Sequence, residues 1–449
     1  MSIYRVPTPS FEVRGEDYTR GAMASGEFSE RIARVKKALR KLSHPCLLVV
    51  SSAPSRARSR DTLYPYRQSS NFYYLTGITR SGVTLVISSL PNERPKILSL
   101  PTDPKKTVWE GPEDSLKTLA RRLGIEAIET KDIHKDLLTL SRGKDELYFE
   151  NIEGTPSFQL AKSLMNIPEH NRVSQPTSFS FLERVLVPLR LKKSHSEIKQ
   201  IVDALNVTHE ALLETLPLIR PNRSELEVKS RLEAEMIKRG GVPAFDSIVA
   251  SGKSASTLHY HRHSQKLKKS ELLLMDFGAE VHCMASDVTR VFPVSGRFEG
   301  VLRDLYECVL EAQKRAIAAV RPGAKIGSVY QKAAEVLADG LVDLRILRGS
   351  RSKILKSEEF RSYFPHGIGH TLGLDVHDVG NLRGQSEPKL EAGMVITIEP
   401  GLYFPRKVGK VPACGVRIED DVLVTPTGRK ILSHQFVKEL SDVEALIER

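Results

Sequence analysis

Two segments in the second half of the chain share one layout, and this duplication constrains the fold more than any other feature. In "LIRPNRSELEVKSRLEAEM" and in "AVRPGAKIGSVYQKAAEVL" a helix ends, an Arg-Pro-Asn/Gly turn follows, and a second helix begins. Pro221 and Pro322 mark the points where the first helix of each pair must stop. Strand-rich sequence that carries two acids follows each pair. We therefore predict a twofold internal repeat of helices and acid-bearing β-hairpins.

The acids of this repeat stand at the ends of apolar runs. Asp276 ends "LLLMD" and Asp287 follows in "ASDVTRVF", while Glu399 ends "MVITIE" and Glu419 lies in "GVRIEDDVLV". Paired strands place such carboxylates on one side, and Arg417, two residues before Glu419, shares its face. Buried carboxylates that crowd together repel one another, and divalent cations relieve this repulsion. The pattern predicts that all four carboxylates share one metal centre.

The ligand chemistry narrows the metal. Oxygen ligands with one or two imidazoles favour Mn, Mg, Co or Fe, and the four scattered cysteines offer no thiolate zinc site. Two such metals, bridged by carboxylates and water, generate hydroxide near neutral pH and polarise a carbonyl. For any one acid taken singly, an ordinary ion pair with a surface Lys or Arg remains the alternative.

Three histidines lie within 12 residues of one glycine-laced stretch, "FPHGIGHTLGLDVHD", at His366, His370 and His377. The H-x-x-x-H spacing resembles that of helical zinc proteases. However, Pro365 and the two glycines between the first two histidines disfavour a helix, and no glutamate follows His366. We expect an irregular loop that brings its backbone close to the centre and directs single imidazoles toward it.

The first part of the chain has a different pattern. A helix begins there with Ser29 as its N-cap. Buried strands follow at "PCLLVVSS" and "GVTLVISS" and a weaker strand at "KDELYFE", and further helices alternate with them. Strands that alternate with helices over about 150 residues indicate an α/β domain. We place its end near 175–185, where long amphipathic helices begin.

Composition excludes several classes of protein. The net charge of +12 and pI of about 9.4 come from dispersed lysines and arginines, without a nucleic-acid-binding motif. No run of 18 apolar residues occurs, and the N-terminus has no apolar signal segment. We expect a cytoplasmic protein that binds neither nucleic acid nor a membrane.

The ordered motifs "SGKSASTLHY", "LLLMDFGAEVHCMASDVTRVFPVSGRF", "HGIGHTLGLDVHDVG", "ITIEPGLY" and "VRIEDD" resemble those of the pita-bread metallopeptidases. Among these metallopeptidases the chain resembles aminopeptidase P rather than its neighbour prolidase, because the N-terminal segment "RDTLYPYRQSSNFYYLTGI" is similar to that of aminopeptidase P. The aperiodic sequence at 1–27 predicts an N-terminal arm, which has no counterpart in the family. The resemblance implies an α/β N-terminal domain at 28–180 and an α+β pita-bread catalytic domain with an internal pseudo-twofold repeat at 181–449.

The resemblance also implies the ligands and the base. It assigns two divalent ions, foremost Mn²⁺ with Co²⁺, Zn²⁺ or Fe²⁺ as alternatives, to Asp276, Asp287, His370, Glu399 and Glu419. By the family pattern Asp287 and Glu419 bridge the ions, Asp276 chelates one of them, and His370 with Glu399 completes the other. Glu399 is also the general base toward the bridging water.

Further residues are implied around the substrate. His259, His366 and His377 match positions that contact substrate and stabilise the oxyanion, and Arg417 is placed among them as a partner of the carboxylates. Asp61 matches an aspartate that a neighbouring subunit supplies near the site, which implies a homo-oligomer, a dimer or tetramer. Trp109 matches an aromatic residue of the proline pocket. An ordinary loop aspartate and a packing tryptophan remain the alternatives for the last two, and Arg190 in a boundary motif is expected to be structural.

The implied activity is an Xaa-Pro aminopeptidase, which removes the N-terminal residue from peptides with proline in the second position. Two alternatives stay open: a prolidase, which requires a dipeptide, and an inactive pita-bread protein that binds a partner. The chain departs from the family pattern at Phe277, which follows the first aspartate, and at Thr371, which replaces an aromatic residue after His370.

Overall fold

The computed structural model describes residues 25–168, 174–380, 382 and 388–448. Residues 1–24 of the expected N-terminal arm lie outside this part, and residues 25–27 form the first turn of helix α1 (Ser25–Leu39). Ser29 therefore lies inside the helix, so the prediction that it caps the helix is wrong. Its hydroxyl instead donates to the carbonyl of Leu123 at 2.9 Å, which ties α1 to the helix that Leu123 ends.

One mixed six-stranded sheet organises the first part of the chain. Its strands, in chain order, are β1 (Cys46–Ser51), β4 (Val83–Ser88), β5 (Lys96–Ser99), β6 (Glu126–Glu129), β7 (Glu146–Phe149) and β8 (Ser178–Phe181). The spatial order is β6-β5-β4-β1-β7-β8, with β1 antiparallel to β4 and parallel to β7. Both central strands are buried along their full length, which explains their unbroken apolar runs and confirms the predicted strands.

Short helices and one hairpin surround this sheet. The helices are α2 (Ser70–Thr76), α3 (Pro104–Glu110), α4 (Leu116–Leu123), α5 (Ile133–Leu140) and α6 (Pro156–Asn166). A two-stranded hairpin, β2 (Ala57–Ser59) and β3 (Thr62–Leu63), projects with exposed side chains. Helix α2 is buried throughout. Ser69 caps its N-terminus, and Gly77, at φ +62°, ends it in a left-handed turn.

The second part contains the predicted repeat. Its helices are α7 (Glu183–Arg190), α8 (His195–Thr215), α9 (Glu225–Lys238), α10 (Gly300–Ala319), α11 (Ile326–Asp343), α12 (Arg351–Ser357) and α13 (Leu440–Ile447). The pairs α8–α9 and α10–α11 each pack together, and the first helix of each pair ends before Pro221 or Pro322 as predicted. Ser194 with Glu197 and Ser224 with Glu227 form capping boxes that start α8 and α9.

Antiparallel strands follow each helix pair, which confirms the repeat and the mixed α/β fold. The first half has β9 (Val242–Pro243), β10 (Ile248–Ser251), β11 (Leu272–Phe277), β12 (Ala279–Val281), β13 (Met284–Ala285) and β14 (Val288–Pro293). The second half has β15 (Val395–Ile398), β16 (Gly401–Phe404), β17 (Cys414–Arg417), β18 (Asp420–Thr425) and β19 (Gly428–Ile431).

The two halves of the repeat join at a segment of the second half that was predicted to form one continuous strand. The segment "GVRIEDDVLV" is instead interrupted at Ile418 and Glu419, so that β17 pairs with β16 and β18 pairs with β15. The interruption lets the amide of Glu419 donate to the carbonyl of Thr289 in β14 at 3.1 Å. This contact brings strands of both halves to one point. Across the described ranges, no helix is long and apolar enough to cross a bilayer.

Candidate metal centre

The four predicted acids meet where the two halves join. Asp276 lies in β11 opposite Thr289 of β14, and Asp287 directly precedes β14. Glu399 follows β15, and Glu419 occupies the interruption between β17 and β18. Each carboxylate thus sits at or next to a strand end of its half, where the antiparallel pairing predicted from the sequence directs it to a shared centre.

His370 completes this group. Its Nδ1 lies 3.1 Å from the carbonyl of Thr371, a contact in which only a protonated Nδ1 can donate. The lone pair of Nε2 then faces the acids, at 3.5 Å from Asp287 Oδ2 and 3.6 Å from Glu399 Oε1. Asp287, His370 and Glu419 each offer one ligand atom, and these atoms lie within 4.8 Å of one another, so the three residues could hold a metal ion.

The loop that carries His370 is irregular, as predicted, with no helix between residues 364 and 380. It lies against the end of β15, where Thr397 N donates to the carbonyl of His370 and His370 N donates to Thr397 Oγ1. A Cβ at Gly369 would come within 2.0 Å of the Thr397 carbonyl oxygen. Glycine is therefore required for this close approach, which fixes His370 beside the acids.

The buried acids repel one another, and two of their oxygens have no hydrogen-bond partner among the described residues. Burial raises the pKa of Asp287 well above its usual range, and repulsion by Glu419 and Asp276 raises it further. Burial likewise raises the pKa of Glu419, with repulsion by Glu399 and Asp276 adding to it. Among the described residues, Asp276 Oδ1 and Asp287 Oδ1 are buried without a hydrogen-bond partner. Orphaned carboxylate oxygens around an excess of negative charge fit divalent cations.

Arg417, the last residue of β17, brings a positive charge to these carboxylates. Its guanidinium donates to Asp276 Oδ2 at 2.6 Å, to Thr289 Oγ1 at 3.0 Å and to the Tyr403 hydroxyl at 3.0 Å. The Thr289 hydroxyl in turn donates to Glu419 Oε2 at 2.7 Å. Arg417 and Glu419 therefore meet at the Thr289 hydroxyl, although the strand predicted to hold both is interrupted after Arg417. This geometry fits a partner of the carboxylates.

Three residues of this centre were not predicted from the sequence. Thr289 and Tyr403 lie in apolar strand segments that resemble core, and only their hydroxyl groups signal another role. Asp421 accepts a hydrogen bond from the amide of Asp287, and burial raises its pKa well above its usual range. Period-two alternation from Glu419 would have placed Asp421 on the same face.

The other predicted histidines occupy different environments. His366 Nδ1 lies 2.9 Å from the Gly367 carbonyl and Nε2 lies 2.8 Å from the Tyr403 hydroxyl, so His366 belongs to the Arg417 network. The rings of His370 and His377 meet edge to face, 4.2 Å apart between centroids, with His377 exposed. His259 is exposed in the segment that follows a 3-10 turn (Gly252–Ser256).

Two predicted site residues lie at the surface of the single chain. Asp61 is exposed in the turn between β2 and β3, and Trp109 is 87% exposed on α3. Within the described ranges Asp61 makes no hydrogen bond or ion pair with the buried acids. The high exposure of Trp109 excludes the alternative of an ordinary packing tryptophan within one chain.

Sequence profiles divide the chain in the same order as the structure. Metallopeptidase family M24 matches residues 199–426, and the N-terminal domain of aminopeptidase P matches residues 31–148. The Xaa-Pro aminopeptidase of Haemophilus influenzae is 34% identical over 94% of this chain and 97% of its own length. The Xaa-Pro aminopeptidase 3 of Homo sapiens is 33% identical over 89% of this chain and 80% of its own length.

Solved structures are similar over almost the whole chain. A zinc-substituted Escherichia coli aminopeptidase P in complex with product has a TM-score of 0.88 at 32% identity, covering 95% of this chain and 98% of that structure. The proline aminopeptidase P II of Yersinia pestis has a TM-score of 0.88 at 30% identity, covering 95% and 100%. The chain thus belongs to metallopeptidase family M24, as a metallo-aminopeptidase of the aminopeptidase P type.

Proposed function

We propose that this metallo-aminopeptidase removes the N-terminal residue from peptides that carry proline in the second position. The observation that carries the proposal is the cluster of Asp287, His370 and Glu419, whose ligand atoms lie within 4.8 Å of one another. Asp276 and Glu399 lie close enough to repel Asp287, and oxygens of Asp276 and Asp287 have no hydrogen-bond partner among the residues that the structure describes. The Xaa-Pro aminopeptidases among its relatives support the choice of substrate.

The residues proposed to hold the metal are Asp276, Asp287, His370, Glu399 and Glu419. Their donor set, oxygen with one imidazole, suits two Mn²⁺ ions first, with Co²⁺, Zn²⁺ or Fe²⁺ as alternatives. When bound, such ions would supply Lewis-acid activation of a water molecule and of the scissile carbonyl.

Glu399 is proposed as the general base. Its Oε1 lies 3.6 Å from His370 Nε2 and 3.4 Å from the Thr397 hydroxyl, so two neighbours hold the carboxylate at the centre. It is less buried than Glu419, which leaves it access to water. A carboxylate in this position can take a proton from the attacking water and pass it to the leaving nitrogen.

The remaining histidines are proposed to bind the substrate. His366 and His377 flank His370 on the same loop and would donate hydrogen bonds to the oxyanion, while His259 would contact the peptide. Arg417 holds Asp276 at 2.6 Å, and its three side-chain nitrogens already contact protein acceptors. We therefore propose that Arg417 orients the acids and that any direct contact with the substrate is secondary.

Asp61 and Trp109 are proposed to act in the site of a neighbouring subunit of a dimer or tetramer. Leu63 and Tyr64, which follow Asp61, are more than half exposed in the single chain, and Trp109 itself is 87% exposed. Exposed apolar surface of this kind is typical of an interface. Light scattering of the purified protein tests the assembly, and a monomer that retains full activity contradicts this part of the proposal.

We propose the cytoplasm as the location and peptides, not nucleic acid, as the partners. The positive charge is dispersed along the chain, and the sequence contains no nucleic-acid-binding motif. Both features disfavour nucleic acid as a partner. Fractionation of cells that express the tagged protein tests the location.

One assay tests the function. The Mn²⁺-loaded protein is incubated with Arg-Pro-Pro, with Gly-Pro and with a tripeptide that lacks proline, and the Glu399→Ala variant serves as the control. We expect release of arginine from Arg-Pro-Pro alone, and a loss of about 10²–10⁴-fold in kcat for the variant.

Other outcomes identify the alternatives. Cleavage of Gly-Pro alone would contradict the aminopeptidase and favour a prolidase. An absence of cleavage, with less than one metal ion bound per chain, would favour the alternative of an inactive binding protein. Equal cleavage of the tripeptide without proline would remove the proposed specificity but leave the metallo-aminopeptidase assignment in place.

A further inference from the structure

The loop that carries His370 and His377 ends in a buried, doubly paired carboxylate. The side chain of Asp378 is 2% exposed and accepts hydrogen bonds from Lys193 Nζ at 2.9 Å and from Arg190 at 2.5 Å. The hydroxyl of Thr371 donates to the Asp378 carbonyl at 2.8 Å, and the Asp378 amide donates to the Thr371 carbonyl at 2.9 Å. These bonds close the loop directly around His377.

Arg190 connects this closed loop to the first domain. Besides Asp378, its guanidinium donates to Asp375 Oδ2 at 2.9 Å and to Asn71 Oδ1 at 2.5 Å. Asn71 lies in the buried helix α2, and its amide nitrogen donates to Glu150 Oε1 at 2.8 Å. Since a guanidinium only donates, the amide of Asn71 must turn its oxygen to Arg190 and its nitrogen to Glu150. Asn71 thus has one orientation that satisfies both neighbours.

Two further contacts reach the loop from the segment just before Asn71. The Ser70 hydroxyl donates to Asp375 Oδ1 at 2.6 Å, and Arg67 donates to the carbonyl of Leu374. The side chain of Arg67 is 39% exposed and that of Asp375 is 42% exposed, whereas Arg190 is 3% exposed. Because solvent screens exposed contacts, the buried bond between Asn71 and Arg190 should contribute more than the Arg67 and Ser70 contacts to the link between α2 and the His377 loop.

We propose that Asn71 of the first domain is a positioning residue, which holds the His377 loop in its reactive geometry through Arg190. The consequence for catalysis rests on the proposed function, since it requires that His377 contacts the substrate. His377 lies between the two aspartates that Arg190 binds, and its ring contacts that of His370. A displacement of about 1 Å in such a group is enough to lower a rate about 10²-fold.

Hydrogen exchange of the Asn71→Ala variant tests the connection without any substrate. We expect the amides of residues 371–379 to exchange about tenfold faster than in the unaltered protein, while those of β11 keep their protection. Ser51→Ala is the matched control, since Ser51 is also buried in the first domain and its hydroxyl, within the described part of the chain, contacts Thr84 and Ser157 of the same domain. Equal exchange of the loop in Asn71→Ala and in Ser51→Ala would overturn the proposal.

Kinetics test the consequence for the reaction. We expect kcat of Asn71→Ala to fall about 10- to 100-fold with KM changed by less than about threefold, because the loop acts on the reacting centre. The double variant Asn71→Asp with Glu150→Gln keeps an acceptor toward Arg190 and reverses the donor between positions 71 and 150. We expect it to retain kcat and loop protection within about threefold of the unaltered protein.

The outcomes separate this proposal from the proposed function. A double variant as impaired as Asn71→Ala would overturn the positioning role. If Asn71→Ala is recovered only unfolded, the double variant is compared with the unaltered protein instead, and a loss of kcat or of loop protection greater than about threefold overturns the role. Should the unaltered protein cleave no Xaa-Pro peptide, the proposed function fails, while the exchange measurement still decides whether Asn71 holds the loop.

Discussion

Glu419 and Asp420 are adjacent in sequence and almost completely buried, yet their surroundings are opposite. Glu419 faces the other acids, and burial together with repulsion by Glu399 and Asp276 raises its pKa well above the usual range. Burial also raises the pKa of Asp420, but the charges of Arg290 and Lys438 outweigh this and lower it to about 2. The sign of the neighbouring charges separates the two residues, since both are buried.

A third buried acid lies between these extremes. Glu150 accepts hydrogen bonds from the neutral groups of Asn71 and Ser69, and burial raises its pKa to about 7. The protein therefore supplies cations to Asp420, neutral donors to Glu150 and mainly further acids to Glu419. Asp420 joins strands of the two halves, and Arg290 of β14 supplies the positive charge that balances it. Around Glu419 the protein supplies mainly negative charge, as expected where a bound metal cation would balance the carboxylates.

The largest expected effect follows from changing a carboxylate of the uncompensated group. Asp287→Asn should lower kcat/KM for an Xaa-Pro peptide by at least ~10³-fold, because a proposed metal ligand is lost. In the presence of a chelator, the same change should raise the free energy of unfolding by about 1–3 kcal/mol, since one source of repulsion is removed. Steady-state kinetics with Mn²⁺ and urea unfolding with EDTA measure the two effects.

The opposite directions are what make this change informative. A residue held only by its protein neighbours would lose stability and activity together. If chelated Asp287→Asn unfolds at a lower urea concentration than the chelated unaltered protein, the acids are not mutually destabilising and the comparison with Asp420 fails.

The same chemical change at the compensated acid should mainly affect folding. Asp420→Asn leaves Arg290 and Lys438 buried without their counter-charge, and it weakens the bonds from Gln313 and Ser433. We expect the free energy of unfolding of the chelated protein to fall by about 3–5 kcal/mol. Asp304→Asn, an exposed position on α10, is the control and should change it by less than about 0.5 kcal/mol. Stability within about 1 kcal/mol (about fivefold in the folding constant) of the unaltered protein would show that Arg290 finds other acceptors.

Much of this contrast was accessible from the sequence, because acids at the ends of apolar runs are unusual. The positions of Asp276, Asp287, Glu399 and Glu419, the duplicated helices and the irregular histidine loop all follow from local patterns. Alternation along "RIEDD" also predicts opposite sides for Glu419 and Asp420, and the structure gives them different partners although the strand is interrupted at Glu419. Local patterns therefore identify the acids of the centre but not the break in the strand.

The partners of those acids could not be read in the same way. Arg290 and Asp420 are 130 positions apart and Arg190 and Asn71 are 119 apart, so only the folded chain shows that they pair. Thr289 and Tyr403 resemble ordinary strand residues, because a hydroxyl group in an apolar strand does not indicate what it bonds. Serine is a common N-cap residue, but helix α1 begins four residues before Ser29, at Ser25, and the Ser29 hydroxyl bonds to Leu123 of α4.

The smallest expected effect concerns Glu150, whose pKa of about 7 makes its contribution depend on pH near neutrality. Its folded-state pKa lies above the ordinary value of 4.5, so its contribution to stability is complete below pH 4.5 and is lost as the pH rises through 7. Relative to the unaltered protein, Glu150→Gln should therefore gain at most about 3 kcal/mol in free energy of unfolding between pH 4.5 and pH 8. Glu146→Gln on β7 is the matched control: burial raises the pKa of Glu146, but bonds from Ser180, His44 and Tyr148 lower it overall, so this variant should show no such gain. A difference between Glu150→Gln and the unaltered protein that stays flat over this range would show that the bonds from Asn71 and Ser69 offset the cost of burying the ionised carboxylate, so that its pKa is not raised.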